Sequence, residues 1–504
     1  MPLLNWTIAI AFPILAILWW YLHVPWHIPR SLPRIPLYVS FLELWYNLGH
    51  PEVYDRWMRE PMEKHGAVVT WISGQWHIVL GRPDLLIEVF KNYEIYEKAG
   101  NQVRIPKTVL GKFVGDNMIN SAIPTWELYS SVMRAGIQKP FEPEFFQQKA
   151  KKLARKFIEA HKCARLEEKN SGIFVTPFLQ KFAVDGMAHA FFNLDLQSLE
   201  RPDAFEQLLT RLKPTMFGLL YRLLPFLDRF SCFIPSRKRA FDMVEAYGEM
   251  VRSMARDSGQ RRSENQTKVA AHMLQEAYES GQISRFQLSS NLKMLSLAGH
   301  DTIQSLVTCA MWELGSNRAV QDRLRTEVLE ASKSSTPVSE ALTTLPYLIS
   351  TTYELLRLYP PLANLPNRTT SHPVCLGDEI PLAPNTWLGW NAYAVHTNTQ
   401  IWGATAREFR PERWGTTVQE IHGTVRRQTV RGAYIPFISH TRKCAAQGYA
   451  LMQIKLALYE LVGGIEWKVD PRYRLKMNGG NLTFPVGLRV VVQDLQSGTG
   501  QVEQ

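Results

Sequence analysis

The chain has 504 residues, of which 45% are hydrophobic, so it is long and apolar enough to bury a large core. Its formal net charge of +11 suits an anionic membrane or an acidic protein partner. The basic residues are dispersed and accompany no nucleic-acid motif, which argues against nucleic acid as a partner. Five scattered cysteines, an odd number, argue against a disulfide framework and favour a reducing compartment.

The N-terminal segment is apolar and has no charged side chain before Arg30. Residues 7–24 have about the minimum length for a membrane-spanning helix, and aromatic residues gather at their end. We therefore predict a transmembrane anchor at residues 1–24 and a proline-rich hinge at residues 25–36. A cleaved signal peptide is the alternative, but a basic leader and a small-residue cleavage site are missing. The arginines after the anchor place the rest of the chain in the cytosol.

The remainder is dominated by helical periodicity with a few short strands. This pattern predicts a mainly α domain with small β-sheets over residues 37–495, followed by a polar tail at residues 496–504. Residues 68–79 predict two strands joined by a tight turn. Residues 100–123 are rich in turn formers and predict a long loop.

Two later segments have more than one interpretation. A helix is predicted to begin near Thr125, a plausible N-cap, with Trp126, Ser130 and Arg134 following at intervals of four residues on roughly one face. A solvated surface position for Arg134 fits this pattern equally well. Residues 214–235 are strongly apolar but interrupted by charges and a proline, so they predict either buried core or a surface that contacts a membrane.

A long helix is predicted for residues 287–314, with Asp301 and Thr302 near its middle. A carboxylate beside an alcohol is unusual in such an apolar helix. The Thr302 hydroxyl can donate a hydrogen bond to the Ala298 carbonyl oxygen and loosen the turn, which makes room for dioxygen or water. A kinked helix with a purely structural role is the alternative.

The segment around Cys444 is a short, polar, doubly basic loop followed by an apolar helix that ends at the glycine pair 463–464. We expect the helix amides, Lys443 and Arg442 to lower the pKa of the thiol and favour the thiolate. A lone thiolate that faces an apolar pocket is a nucleophile or a metal ligand, and haem iron uses a single thiolate when it splits dioxygen. Packing alone is the alternative for a buried cysteine before a helix.

This loop resembles the cysteine loop of the cytochrome P450 family, F-x-x-G-x-R-x-C-x-G. Phe437, Arg442 and Cys444 match, whereas His440 and Ala446 stand where the family usually has glycine. A glycine permits the tight turn at the first of these positions, so we expect His440 to make it under strain. The resemblance implies that Cys444 is the axial ligand of the haem iron and that Phe437 and Arg442 contact the haem.

Further motifs of the same family follow in its usual order. The sequence at residues 298–302 is similar to A/G-G-x-D/E-T, which implies that Asp301 and Thr302 organise the protons consumed in oxygen activation. The family motif W-x-x-x-R is matched only at Trp126, because Ser130 replaces the arginine; Arg134, one turn later, is the expected substitute in haem binding.

The E-x-x-R motif of the family is matched by Glu354 and Arg357, and F-x-P-E-R-F/W is matched by residues 409–414, which include Arg413. A lone pair at this spacing is usually a weak surface ion pair. The resemblance instead implies a buried network of these three residues that supports the cysteine loop. Arg368 lies about where the family has an arginine that binds a haem propionate.

As a whole, the resemblance implies a cytochrome P450-like catalytic domain with haem b, anchored in the endoplasmic reticulum membrane and facing the cytosol. It also implies dioxygen, a small aromatic or apolar substrate, and electrons from NADPH. Because no flavin- or nucleotide-binding motif accompanies the chain, a separate NADPH–cytochrome P450 reductase is the expected partner, besides membrane lipid.

The N-terminal half looks more specifically like a fungal dityrosine-type subgroup of the family. That likeness implies oxidative coupling of tyrosine-derived phenols in fungal secondary metabolism. Two alternatives remain open at this stage. One is an ordinary hydroxylating monooxygenase that acts on another apolar or aromatic substrate, and the other is a haem-binding protein without turnover.

Overall fold

The computed structural model describes residues 16, 19, 21–166, 172–260, 267–334, 336–480 and 482–495. As predicted, the chain is mainly helical with small β-sheets. The predicted tail at residues 496–504 and most of the predicted anchor at residues 1–24 lie outside the described residues. Within the described part of the chain, no helix has both the length and the apolar character needed to cross a membrane.

The helices of the first half are connected by short loops and by the first strands. They are α1 (Leu37–Tyr46), α2 (His50–Val53), α3 (Arg59–His65), α4 (Pro83–Lys91), α5 (Asn101–Arg104), α6 (Val109–Val114), α7 (Thr125–Gln138), α8 (Pro143–Leu166), α9 (Thr176–Phe192), α10 (Ala204–Met216), α11 (Leu219–Leu223) and α12 (Pro235–Gln260). A π-helical turn joins α2 to α3, and a 3₁₀ helix at Pro225–Phe233 joins α11 to α12.

The second half begins with helices and ends on the segments that surround Cys444. Its helices are α13 (Ala270–Glu279), α14 (Arg285–Ser316), α15 (Arg318–Lys333), α16 (Val338–Thr344), α17 (Pro346–Leu358), α18 (Ala392–Thr397), α19 (Thr399–Trp402), α20 (Val418–Val430) and α21 (Gln447–Gly464). A 3₁₀ helix lies at Pro411–Trp414, between α19 and α20.

The strands of the described residues form three small sheets. They are β1 (Ala67–Ile72), β2 (Gln75–Leu80), β3 (Tyr96–Lys98), β4 (Ile173–Phe174), β5 (Asn364–Thr370), β6 (Val374–Leu376), β7 (Ile380–Leu382), β8 (Trp387–Asn391), β9 (Ile465–Val469) and β10 (Arg489–Asp494). The largest sheet has the order β1-β2-β8-β5-β3, in which only β2 and β8 are parallel; the others are β4-β10-β9 and β6-β7.

The predicted hairpin at residues 68–79 is confirmed by the antiparallel pairing of β1 with β2. Its two-residue turn, Ser73 and Gly74, has φ values of 46° and 91°. Positive φ at both central positions gives the turn the twist that matches the flanking strands. The register therefore follows directly from the turn.

The proline-rich segment 25–36 is attached to this hairpin. The Ile35 amide donates to the Val69 carbonyl oxygen, and the Val69 amide donates to the Pro33 carbonyl oxygen, both at 2.8 Å. Ile28 and Leu32 are buried against the large sheet. The segment has little regular structure, as predicted, but it is held in place along one strand.

Two local predictions are wrong. Residues 100–123 contain α5 and α6, where the Thr108 side chain accepts a hydrogen bond from the Gly111 amide and caps α6. Local capping therefore forms a helix in a segment whose composition indicates a loop. Thr125 is the first residue of α7 rather than its cap, since Pro124 occupies the N-cap position.

The apolar segment 214–235 lies at the surface. Leu220, Phe226 and Phe230 are exposed, and 82% of Phe233 is accessible. Of the two interpretations of this segment, buried core is wrong, and an apolar surface is what the structure shows. The segment connects α10 to α12 through α11 and the 3₁₀ helix.

Helix α14 lies at the centre of the main core, with buried residues on all of its faces. It packs against α9, α12 and α21. Gly299 permits the closest of these approaches, because a Cβ atom there would lie 2.7 Å from Met187 Cγ and 3.0 Å from the Phe191 ring. The middle of α14, with Asp301 and Thr302, is thereby fixed against α9.

Candidate active site

The loop that leads to Cys444 is compact and makes two left-handed turns. Ile438 and His440 have φ values of 51° and 60°, in the region that favours glycine. The Cys444 amide donates to the Phe437 carbonyl oxygen at 3.0 Å. The chain thus makes the tight turn expected of a glycine with a histidine instead, and it places Cys444 three residues before α21.

The Cys444 side chain has accessible surface, yet burial raises the pKa of its thiol. A side chain can be both accessible and desolvated when its accessible surface faces a space inside the protein rather than the outer surface, and we interpret Cys444 in this way. The expected lowering of the thiol pKa is wrong in sign. A hydrogen bond from the backbone of Ala446 and the charge of Lys443 do act in that direction, but desolvation outweighs them.

Trp126, in the first turn of α7, is flanked by two guanidinium groups. Cζ of Arg442 lies 4.4 Å from the ring centre, and Cζ of Arg134 lies 5.7 Å from it. Arg442 also donates to the Ser121 carbonyl oxygen at 2.9 Å. Nε of Arg134 is buried and has no hydrogen-bond partner among the described residues. Helix α7 therefore brings Arg134 next to Trp126, although Ser130 stands at the preceding turn.

Arg368 and Lys98 add two more buried cations. They face each other in the β3–β5 pair, and Arg368 donates to the Tyr96 carbonyl oxygen at 2.8 Å. Nε and Nη2 of Arg368 have no partner among the described residues. Burial lowers the pKa of Lys98 well below its usual range, and the charges of Arg368 and Arg442 lower it further.

For Lys98, Arg368 and Arg442, burial is the main cause of a lowered pKa, and no carboxylate of the described residues offsets it. The pKa of Arg442 is lowered to about 9, first by burial and then by Arg368 and Arg134, while burial lowers the pKa of Arg368 to about 10. We call Lys98, Arg134, Arg368 and Arg442 the cation cluster. Buried like charges with free donors are costly unless anions neutralise them.

The acid–alcohol pair in α14 has the expected backbone contact. The Thr302 hydroxyl donates to the Ala298 carbonyl oxygen at 3.1 Å. Asp301 contacts the Nζ atom of Lys213 from α10, and its Oδ1 atom lies 2.9 Å from Nε2 of His300. Burial acts to raise the pKa of Asp301, but Lys213 and His300 together hold it far below its usual range.

Glu354 is the centre of the predicted network and is fully buried, as is Arg357. The two side chains form two parallel hydrogen bonds of 2.8 Å. Nε of Arg413 donates to Oε1 of Glu354 at 3.0 Å, and Nε1 of Trp414 donates to Oε2 at 3.0 Å. The Arg410 amide completes the set at 2.9 Å. The structure thus confirms that Arg357 and Arg413 both bind the carboxylate of Glu354, as the sequence motifs predicted.

His396 connects this network to the cysteine loop. Its Nδ1 donates to the Arg357 carbonyl oxygen at 2.9 Å, and its Nε2 accepts from the Ile435 amide at 2.8 Å. The pKa of His396 is lowered to about 3, mainly by burial and then by Arg357, so its ring is neutral as these bonds require. Ile435 directly precedes the loop, so α17 is tied to the segment that places Cys444.

Three residues of these arrangements were not identified as functional from the sequence: Lys98, His396 and Lys213. Lys98 and Lys213 look like ordinary charged residues of a strand and a helix, and their partners are far away along the chain. His396 gives a clearer signal, because it lies between the matched motifs at residues 354–357 and 409–414. Of the three residues, only His396 could have been identified from the sequence motifs.

Comparison with known proteins identifies the family of this chain. The model of the cytochrome P450 family matches residues 29–486. The chain is 45% identical to cytochrome P450 monooxygenase xanG of Aspergillus fumigatus over 486 residues, which cover 94% of this chain and 89% of the relative. It is therefore a haem-dependent oxidoreductase by class. The chain belongs to the cytochrome P450 family and is an enzyme of its monooxygenase group.

Two further relatives extend the comparison. Cytochrome P450-DIT2 of Saccharomyces cerevisiae is 30% identical over 469 residues, which cover 92% of this chain and 93% of the relative. Cytochrome P450 94A1 of Vicia sativa is 23% identical over 480 residues, which cover 91% and 88%. Together with xanG, the DIT2 match makes this chain a fungal-type P450 similar to DIT2. Such enzymes use haem, dioxygen, a small-molecule substrate and electrons from a reductase.

The residues present fit a haem. A single cysteine thiol that faces the interior is a suitable soft ligand for its iron. The two propionates of a haem are anions, and the cation cluster offers them the unused donors of Arg134 and Arg368. Glu354, Arg357 and Arg413 satisfy one another, and none of the buried side-chain atoms that lack a hydrogen-bond partner among the described residues belongs to them.

We predict that Glu354→Gln destabilises the fold by about 3–5 kcal/mol, because it leaves Arg357 and Arg413 near a neutral group in a buried site. Urea unfolding of the variant measures this loss. The matched control is Glu52→Gln, which removes the same carboxylate from an exposed pair with Arg56 on one helical turn. That change should alter the free energy of unfolding by less than about 1 kcal/mol. Equal effects of the two variants would contradict a supporting role for Glu354.

We predict that Arg134→Ala accelerates haem loss roughly tenfold or more, because a hydrogen bond to a charged group contributes about 1.5–3 kcal/mol. Transfer of haem to an acceptor protein measures the rate. Ser130→Arg in the same background should restore part of the retention. The exposed Arg155 of α8 provides the control, Arg155→Ala, which should leave retention unchanged. Normal retention in Arg134→Ala would assign Arg134 to the solvated surface.

Proposed function

We propose that this protein is a haem-thiolate oxidoreductase of fungal secondary metabolism in which Cys444 is the axial ligand of haem b. The observation that supports this assignment most is the pairing of an inward-facing thiol with a cluster of buried cations that no carboxylate of the described residues balances. A ligand that provides both a metal ion and two carboxylates satisfies both features at once. Haem b is such a ligand.

Each part of the site then has a defined task. Cys444 binds the iron, and Arg134, Arg368 and Arg442 bind the propionates, with Trp126 holding two of these guanidinium groups in place. When bound, the haem supplies the activation of dioxygen. The protein supplies orientation of the haem, an apolar surrounding and protons.

Proton handling is assigned to Asp301 and Thr302 in the middle of α14. The Thr302 hydroxyl donates its hydrogen to Ala298, so its oxygen stays able to accept a further hydrogen bond. Asp301 lies in contact with the partly accessible Lys213, which connects the buried acid to the outside. This arrangement argues against a haem-binding protein without turnover, since a simple haem carrier needs no acid–alcohol pair in its central helix.

Electrons are proposed to come from NADPH through a separate NADPH–cytochrome P450 reductase. The sequence has no flavin- or nucleotide-binding motif of its own. We also keep the proposed single-pass anchor at residues 1–24 and the location at the endoplasmic reticulum membrane. The exposed apolar segment between α10 and α12 is compatible with a surface that lies against lipid.

For the reaction, we propose one-electron oxidation of a tyrosine-derived phenol followed by radical coupling. The support is the dityrosine-type resemblance of the N-terminal half together with 30% identity to DIT2 along nearly the whole chain. The second candidate is ordinary hydroxylation, favoured by the 45% identity to a protein named a monooxygenase. Both reactions use the same haem site, so only their products separate them.

The first test of this proposal concerns the metal ligand. Cys444→Ser should lose the red-shifted Soret band that the reduced, carbon-monoxide-bound form of a haem-thiolate protein shows, because serine does not provide a thiolate. Cys375→Ser, which changes an exposed cysteine in β6, should retain the band. A band that survives in Cys444→Ser would remove Cys444 from the iron.

The second test concerns the fate of oxygen. Turnover of tyrosine-derived phenols under isotopically labelled dioxygen should yield dimers without the label, because coupling by hydrogen abstraction reduces dioxygen to water. Mass spectrometry of the products measures the label. A parallel reaction in labelled water controls for exchange of oxygen with the solvent. Labelled monomeric alcohols as the main product would reject coupling and support hydroxylation.

A further inference from the structure

Arg104, the last residue of α5, reaches the turn end of the β1–β2 hairpin. Its Nη1 atom lies 3.4 Å from the Ile72 carbonyl oxygen and 3.4 Å from Nε2 of His77, and its Nη2 atom donates to Oδ1 of Asn101 at 2.7 Å. A backbone carbonyl and a side-chain amide are neutral acceptors. Their contacts fix the position of the guanidinium group, but neither oxygen balances its charge.

His77 does not balance that charge either. Its Nδ1 atom lies 3.1 Å from the Gln75 carbonyl oxygen, which only accepts, so Nδ1 holds a hydrogen and Nε2 offers its lone pair to Arg104. Burial lowers the pKa of His77 well below its usual range, and the charge of Arg104 lowers it further. The ring is therefore neutral, and it serves as a third acceptor that holds Arg104 in place.

The charge of Arg104 has no carboxylate partner among the described residues. Burial lowers its pKa to about 10, while the phenol of Tyr21 acts in the opposite direction and the charge of Arg222 adds to the lowering. Arg222 of α11 differs from Arg104, because the carboxylate of Glu43 opposes its charge. A buried cation without an acid is costly unless an anion from outside the protein neutralises it.

The unused donors of Arg104 are the hydrogen on Nε and one hydrogen on Nη2. Nε has no hydrogen-bond partner in the part of the chain that the structure describes. The same two nitrogens hold a carboxylate elsewhere in this protein, since Nε and Nη2 of Arg237 donate to the two oxygens of Asp228 at 2.6 and 2.8 Å. Two parallel hydrogen bonds of this kind select a planar anion with two oxygens. Arg104 thus has the donors for a carboxylate.

The side chain of Arg104 is only partly buried, although desolvation lowers its pKa. As with Cys444, we interpret its accessible surface as facing a space inside the protein. The segment before α5 is bound to the strand of the cation cluster, because the Ala99 amide donates to the Asn367 carbonyl oxygen at 3.0 Å, directly before Arg368. The chain from Ala99 to Arg104 spans at most about 18 Å. Arg104 therefore lies close to that strand.

We propose that Arg104 binds the carboxylate of an anionic substrate in the space between α5, the β1–β2 hairpin and α11. The inference rests on the proposed function and narrows its substrate class to phenols that carry a carboxylate. The hydrogen bonds from Arg104 hold the anionic end of such a molecule, and its aromatic ring extends toward the proposed haem site.

A lipid phosphate offers similar oxygens, but it is found in a different place. A lipid headgroup stays at the surface of the bilayer and attracts exposed basic residues. In this segment the exposed cation is Lys107, whereas Arg104 is partly buried and desolvated. The carboxylate of a small molecule that enters the protein therefore fits Arg104 better than a headgroup does.

The direct test compares two ligands that differ only in charge. Calorimetry of the purified protein measures its affinity for desaminotyrosine, a phenol with a carboxylate, and for the neutral amide of the same compound. The carboxylate should bind about 10- to 100-fold more tightly, because hydrogen bonds between charged groups are stronger than those to a neutral group. Arg104→Gln should bring this ratio close to unity. Arg104→Lys keeps the charge but loses the two parallel donors, so it should retain part of the preference.

The ratio of the two affinities also controls for damage to the fold, because both ligands bind to the same sample of each variant. Lys107→Gln is the matched control, since it removes an exposed cation from the same segment and should leave the ratio unchanged. The proposal is overturned by a wild-type ratio near unity, by an unchanged ratio in Arg104→Gln, or by an equal fall of the ratio in Lys107→Gln.

Vesicles distinguish the two sources of the anion. The titration with desaminotyrosine is repeated in the presence of phosphatidylcholine vesicles with and without phosphatidic acid. Its affinity should be the same in both, because the headgroup does not reach Arg104. If phosphatidic acid weakens the binding in the wild-type protein but not in Arg104→Gln, Arg104 binds a lipid phosphate and the proposal is wrong.

These measurements separate the proposal from the function on which it rests, because calorimetry needs neither reductase nor turnover. If Cys444→Ser keeps the red-shifted Soret band, the proposed iron ligand is wrong, and the affinity ratio still decides whether Arg104 binds a carboxylate. If the band is lost as expected but the wild-type ratio is near unity, only the role of Arg104 is wrong.

Discussion

The buried carboxylate of Glu354 is the interaction on which the rest of the site depends. Its two oxygens accept from two nitrogens of Arg357, from Arg413, from the Trp414 indole and from the Arg410 amide. An ionised carboxylate has about four lone-pair positions, so this one is fully used. A buried charge is costly unless it is paired and hydrogen-bonded. Helix α17, which contains Glu354 and Arg357, is therefore held against residues 410–414 as long as all of these hydrogen bonds are present. Through Arg357 and His396 the same constraint reaches the loop of Cys444.

The cation cluster is built on the opposite principle. Glu354 and its arginines satisfy one another within the protein. By contrast, burial lowers the pKa of Lys98, Arg368 and Arg442, Arg368 also lowers that of the other two, and no carboxylate of the described residues offsets these shifts. The first arrangement maintains the scaffold, and the second stores electrostatic repulsion that a bound dianion relieves. In the proposed function, part of the free energy that holds the haem comes from the relief of this repulsion. The proposed role of Arg134, one turn away from the usual position of the arginine, is consistent with this, since its charge and its unpartnered Nε would serve a propionate from either turn of α7.

The sequence predicted the parts of the site that depend on local pattern. The helix with Asp301 and Thr302, the turn of the β1–β2 hairpin and the Glu354–Arg357 spacing are all local, and the structure has them as expected. The pairing of Lys98 with Arg368 and the contact of Lys213 with Asp301 join segments distant along the chain, so no local pattern reveals them. The prediction of a lowered pKa for the Cys444 thiol was also wrong, because it considered nearby charges and not burial.

The thiol of Cys444 shows most clearly how that competition works. Its neighbours provide what the sequence suggested, a cation and a helix start, and both act to lower its pKa. Desolvation exceeds them because the loop is folded against the core by the left-handed turn at His440 and the hydrogen bond to Phe437. A buried thiol with a raised pKa is a poor nucleophile toward solutes but still loses its proton to a metal ion, since the ion's charge replaces the missing solvation. In the proposed function, the thiol of Cys444 is the group that loses its proton in this way, to the haem iron.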